Sequence, residues 1–78
     1  MTPITEKLAA LRERVAQACL HAARDPAGVT IVAVSKTHPP GAIRAAHAAG
    51  ITDFGENYVQ EAVAKITQLR DGLRWHFI

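Results

Sequence analysis

Apolar positions along the chain follow two periods, one helical and one of strand type. Ile4, Leu8, Leu11, Val15 and Ala18 recur at helical spacing and predict a helix over 3–24. Thr2 suits its N-cap, Pro3 its first position, and Glu6 its first turn. Asp25-Pro26-Ala27-Gly28 is a breaker cluster that ends it. The run from Val29 to Val34 is apolar and β-branched apart from Thr30 and Ala33. It predicts a strand over 29–35, covered on both faces. By period two, Thr30, Val32, Val34 and Lys36 share one face, and Val29, Ile31, Ala33 and Ser35 the other.

Pro39 and Pro40 stop that strand, and a short helix over 40–48 follows, with Ile43, Ala46 and His47 as its stripe and Gly50 at its C′ position. Ile51-Thr52-Asp53-Phe54 reads as a second strand over 51–54, although Asp53 is a poor strand former. Asn57 and Gln60 have capping-box spacing and predict a helix over 57–70, with Val59, Val63, Ile66 and Leu69 as its stripe. Asp71-Gly72 ends that helix. A third strand over 73–78 alternates Leu73, Trp75 and Phe77 against Arg74, His76 and Ile78.

The order after the first helix is β-α-β-α-β. Strands joined by helical crossovers form a parallel sheet, so the fold class is α/β with adjacent strands in the order 1-2-3. The sequence halts on an apolar strand, which would leave an uncovered face and a free edge. It therefore reads as the front part of a longer α/β protein.

Composition narrows the function classes. With 78 residues the chain is at most one small domain. Its formal net charge of +2 comes from scattered basic residues, which argues against a nucleic-acid partner. Cys19 is the only cysteine, so neither a disulfide nor a cysteine-based zinc site forms within the chain. A lone, buried Cys19 fits a cytoplasmic setting. No apolar run is long enough to span a membrane.

Lys36 is the candidate for chemistry. It falls where a buried strand meets a loop, and in α/β proteins that strand end is where ligands bind. There, a lysine either keeps its ammonium in water or loses charge by desolvation and becomes a nucleophilic amine. Lys7 and Lys65 lie on helices, where spacing assigns them to solvated faces. Glu56 and Glu61 flank a helix start and read as dipole partners rather than an acid/base pair. Tyr58 reads as packed, and Gly55 alone makes no phosphate cradle. His47 reads as a partly exposed helix residue, since no second ligand lies at i+4.

Three blocks carry a family resemblance: Val32-Ala33-Val34-Ser35-Lys36-Thr37-His38-Pro39, Phe54-Gly55-Glu56-Asn57-Tyr58-Val59-Gln60-Glu61, and Trp75-His76-Phe77-Ile78. In order and spacing they resemble the N-terminal part of the pyridoxal-phosphate homeostasis proteins. The resemblance implies the front part of a TIM (β/α)8 barrel similar to the barrel domain of alanine racemase (PLP fold type III), with 1–78 an incomplete domain. It implies pyridoxal 5′-phosphate (PLP) held as a Schiff base on Lys36, in a carrier or regulator of intracellular vitamin B6 rather than an enzyme. A racemase-like enzyme and a truncated chain without its own activity are the alternatives. PLP-accepting enzymes become candidate partners.

The resemblance also opens further roles. Asn57, on the rim shared with Lys36, can hydrogen-bond the cofactor ring or its 3′-oxygen; N-capping is the competing use. His76 can approach the cofactor if its face lines the barrel, or be satisfied by a backbone group. Family members are about three times longer, and their phosphate-binding groups lie in later strands. The parent protein is expected to be a monomer, and the 78-residue chain to associate through its uncovered face.

Overall fold

The computed structural model describes residues 4–69 and 72–78. It divides into two compact units, residues 1–30 and 31–78. In the first, helix α1 spans Ile4–His21. The expected capping by Thr2 and Pro3 falls outside the described residues. The helix closes in a Schellman motif: Ala23 N–H donates to Leu20 O at 3.3 Å and Arg24 N–H to Cys19 O at 2.8 Å. Ala23 holds the left-handed position at φ 53°, where glycine is usual. This ends the helix three residues short of the expected 24. Leu8 and Cys19 are its buried residues, while Ile4 and Leu11 of the expected stripe remain exposed.

A single 3₁₀ turn over Pro26–Gly28 follows. The Asp25 carboxylate accepts from Ala27 N–H at 2.9 Å, as an N-cap should. Val29 N–H closes the same turn on Pro26 O. Val29 is thereby taken out of the strand expected to begin there.

The second unit is a parallel three-stranded sheet in the order β1-β2-β3, with β1 at Val32–Val34, β2 at Asp53–Glu56 and β3 at Arg74–Phe77. Helix α2 (Pro40–Ala48) joins β1 to β2, and α3 (Val59–Gln68) joins β2 to β3. Val32 pairs with Asp53 and Asp53 with Arg74; Val34 pairs with Gly55 and Gly55 with His76. The parallel order inferred from the crossovers is therefore the observed one.

Element boundaries moved where local hydrogen bonds claimed residues first. Helix α2 ends as its glycine predicts. Gly50 has φ 106°, its N–H donates to His47 O, and Ile51 N–H donates to Ala46 O. That last bond commits Ile51 to the helix cap, so β2 covers 53–56 rather than 51–54. Pairing continues to Ile78 N–H on Glu56 O, which delays the next helix. Its N-cap is Tyr58, with no side-chain cap bond, so the Asn57–Gln60 capping box does not form. The expected end at 70 lies outside the described residues; α3 closes at Gln68.

Phe54, Ile43 and Glu56 are the largest fully buried side chains, each about 1% exposed. Phe54 meets Trp75 across the ladder, with ring centroids 5.9 Å apart. The buried face of α3 is not the expected stripe. Ala62, Lys65 and Leu69 are buried, whereas Val59, Val63 and Ile66 are exposed. Nor is β1 covered on both faces, since Val34 is 49% exposed. By the strand period Val34 shares a face with Gly55, His76 and Ile78, while the α3 contacts fall on the face of Ser35 and Glu56.

Candidate functional site

Lys36 follows β1 by two residues, at the carboxyl end of the strand, and is exposed. It occupies the first central position of a turn closed by His38 N–H on Ser35 O at 3.0 Å. Thr37, at the second central position, has φ 66°. A positive φ there is the mark of a type II turn, which normally takes glycine; in a β-branched residue it is strained. Among the described residues no hydrogen bond or ion pair engages the Lys36 amine.

Continuing the ladder register by two residues beyond Val34, Gly55 and His76 sets Lys36 level with Asn57 and Ile78. Asn57 is exposed and directly follows β2. Its capping role is gone, and among the described residues its side chain has no other partner.

His76 lies on the same sheet face, two residues back from that level. Its Nε2 is 2.8 Å from Asp53 Oδ1, so a carboxylate and not a backbone group satisfies it. The Asp53 carboxylate also meets Arg74 Nε at 3.2 Å and the Thr52 hydroxyl at 3.2 Å. The hydrogen bond from His76, aided by that from Thr52 and the Arg74 and His76 charges, holds the Asp53 carboxyl below its ordinary value against the opposing effect of burial. These partners are why an aspartate is tolerated in a central strand.

The opposite side of the Lys36 turn rests on a buried polar network. The Lys65 ammonium donates to Ser35 O at 2.6 Å and to Glu56 Oε2 at 2.9 Å, and lies 3.3 Å from Glu61 Oε1. The Ser35 hydroxyl donates to the same Glu56 carboxylate. Glu61 Oε1 accepts the Thr37 N–H at 2.8 Å. Lys65 is only 4% exposed, so its assignment to a solvated face was wrong. The reading of Glu56 as a dipole partner fails, whereas Glu61 does lie in the first turn of α3 and makes further contacts there. Glu56 is a strand residue paired with Lys65, and Glu61 reaches across to the loop after β1. The signal in the sequence was the Glu61–Lys65 spacing of four, which joins an acid and a base on one helix face. A shallow cavity of about 300 Å³ lies against this network, with Thr37, His38, Pro39, Glu61, Lys65 and Gln68 among its walls. Lys36 does not line it.

An exposed amine at a parallel-strand end, buttressed from behind, defines the class: an α/β unit bearing a lysine at the carboxyl end of its sheet. No family model matches the chain. It is 53% identical over 79 residues to a pyridoxal phosphate homeostasis protein of Pseudomonas aeruginosa, a match covering all of this chain and 34% of the relative. The protein of that name from Escherichia coli is 45% identical over 82 residues, with 100% and 35% covered. The solved structure of PipY from Synechococcus elongatus with PLP bound superposes with a TM-score of 0.74 at 47% identity, covering 96% of this chain and 32% of PipY. PipY without PLP gives the same score. The chain belongs to the pyridoxal phosphate homeostasis protein family, of which it matches the N-terminal part. It spans about a third of the length of the curated relatives it matches. Among the described residues no helix is long and apolar enough to cross a membrane.

Proposed function

We propose that this chain supplies the lysine-bearing front of a PLP-binding (β/α)8 barrel that serves intracellular PLP homeostasis without being an enzyme. The observation that carries the reading is Lys36: an exposed amine, unengaged among the described residues, on the rim turn after β1. In support, the chain is 47% identical over 96% of its length to a protein solved with PLP bound. The donor set fits the cofactor. A primary amine suits an aldehyde, and the Asn57 carboxamide one register step beyond the ladder suits an oxygen on the ring.

The Lys36 amine would hold the cofactor through its aldehyde, a C=N bond replacing C=O with loss of water. Such a bond would be covalent yet reversible, which is the property a carrier needs. Asn57 orients the ring. His76, anchored by Asp53, forms part of the wall beneath. The phosphate is held by strands that the longer family members carry beyond this region. PLP-accepting enzymes are the partners in this reading. The full-length protein works as a monomer, while the 78-residue chain alone associates through the face of Val34 and Ile78, both about half exposed or more.

The test uses the full-length protein that carries these residues. Purified with PLP and reduced with borohydride, it should yield a pyridoxyl label on Lys36 alone by peptide mapping. Lys36→Ala should lose the label and keep the native circular dichroism spectrum. A label shared equally with Lys7 or Lys65, or surviving in the alanine variant, would sink the assignment.

A further inference from the structure

We propose that Glu61 and Lys65 are positioning residues for Lys36, holding both of its chain neighbours so that the amine is presented in one orientation. The inference rests on the reading of Lys36 as the PLP-bearing residue and deepens it.

The two residues flanking Lys36 are fixed from α3. On one side, Ser35 O accepts from Lys65 Nζ at 2.6 Å, while the Ser35 hydroxyl is held by Glu56. On the other side, Thr37 N–H donates to Glu61 Oε1 at 2.8 Å. Lys65 and Glu61 lie 3.3 Å apart, so the two grips form one unit spanning α3, β2 and the turn.

Thr37 needs that grip. At φ 66° a threonine leaves its preferred regions, and such a conformation persists only where the surroundings over-determine it. A charged carboxylate on the Thr37 amide and an ammonium on the Ser35 carbonyl do so from both sides. Lys36 itself is untouched by the clamp, so its side chain stays available while its backbone is fixed. Fixing the backbone matters because an amine that samples several directions meets a bound aldehyde only in the competent fraction, and apparent affinity falls by that fraction. Neither Glu61 nor Lys65 touches the cofactor in this arrangement; they act through the turn.

Three variants of the full-length protein test this, with PLP affinity followed by imine absorbance and thermal melts run on the cofactor-free forms. Glu61→Ala removes the acceptor for Thr37 N–H and should weaken PLP about tenfold, the loss expected if the competent orientation falls to a tenth of the population. Glu61→Gln keeps a carbonyl oxygen in place and should recover most of that loss. Thr37→Gly relaxes the left-handed position, so it should weaken PLP in the same direction without lowering the melting temperature. A purely structural role would not separate affinity from stability in this way. If Glu61→Ala does not fold, Thr37→Gly decides alone. Wild-type affinity in Glu61→Ala and Thr37→Gly, with the label lost in Lys36→Ala, overturns the positioning role and leaves the Lys36 reading intact. A label that survives Lys36→Ala overturns both.

Discussion

Replacing Lys65 by methionine isolates the buried ion pair, because methionine retains much of the aliphatic stem and removes the ammonium. Lys65 and Glu56 are 4% and 1% exposed, and their charged atoms are 2.9 Å apart. Taking away the ammonium leaves the Glu56 carboxylate inside the protein with only the Ser35 hydroxyl, and removes the second donor to Ser35 O. Breaking a buried pair from one side costs about 3–5 kcal/mol, because the remaining charge is uncompensated. In a full-length protein of the size of its relatives this corresponds to a melting point lower by about 6–20 °C. Urea unfolding followed by circular dichroism measures it directly, as a lower midpoint at unchanged slope. The double variant Lys65→Met with Glu56→Gln neutralises both ends and should recover part of the loss, giving a coupling energy of about 1–3 kcal/mol. A Lys65→Met protein within about 0.5 kcal/mol of the parent would behave as a surface substitution and refute the buried network.

Three further outcomes follow from the geometry. Phe54→Ala empties a site 1% exposed beside Trp75 and should destabilise by about 3–5 kcal/mol in the same urea assay. Ala23→Gly relieves a non-glycine residue at φ 53° and should stabilise by about 0.5–1 kcal/mol, the left-handed strain released minus the added freedom of the unfolded chain. Asp53, whose carboxyl is held below its ordinary value of 3.8 chiefly by the hydrogen bond from His76, is depressed in the folded state. Its contribution is therefore fully present above about pH 4 and is lost as pH falls through the folded value. A carboxyl titration by NMR should show the Asp53 midpoint rising toward the ordinary value in His76→Ala; an unchanged midpoint would remove His76 as the cause.

Local pattern was enough for much of this protein. The span of α2, its Gly50 terminator, the sequence of helices and strands, and the parallel order of the sheet all follow from hydrophobic period, breakers and crossover chemistry. These are properties of neighbouring residues, and the chain states them directly. The position of Lys36 beyond a strand end was legible for the same reason, and the blocks around it carried the family resemblance.

What the tertiary structure alone decided was the phase of α3 and the meaning of its charges. Period 3.6 made Val59, Val63 and Ile66 the inward stripe, but the sheet behind them offers Glu56 and the carbonyl of Ser35 as well as apolar surface. Lys65 turns inward to meet those groups, and small Ala62 lies buried beside it on the same face. Leu69 alone of the expected stripe stays inside. A buried carboxylate on a strand bears on the facing of a helix nine residues later because two costs of similar size compete, that of an unpaired charge in the interior and that of partly exposed apolar side chains. Hydrophobic period counts only the second of those costs. The partners that make up the first lie 9 and 30 positions from Lys65, and only folding brings them together.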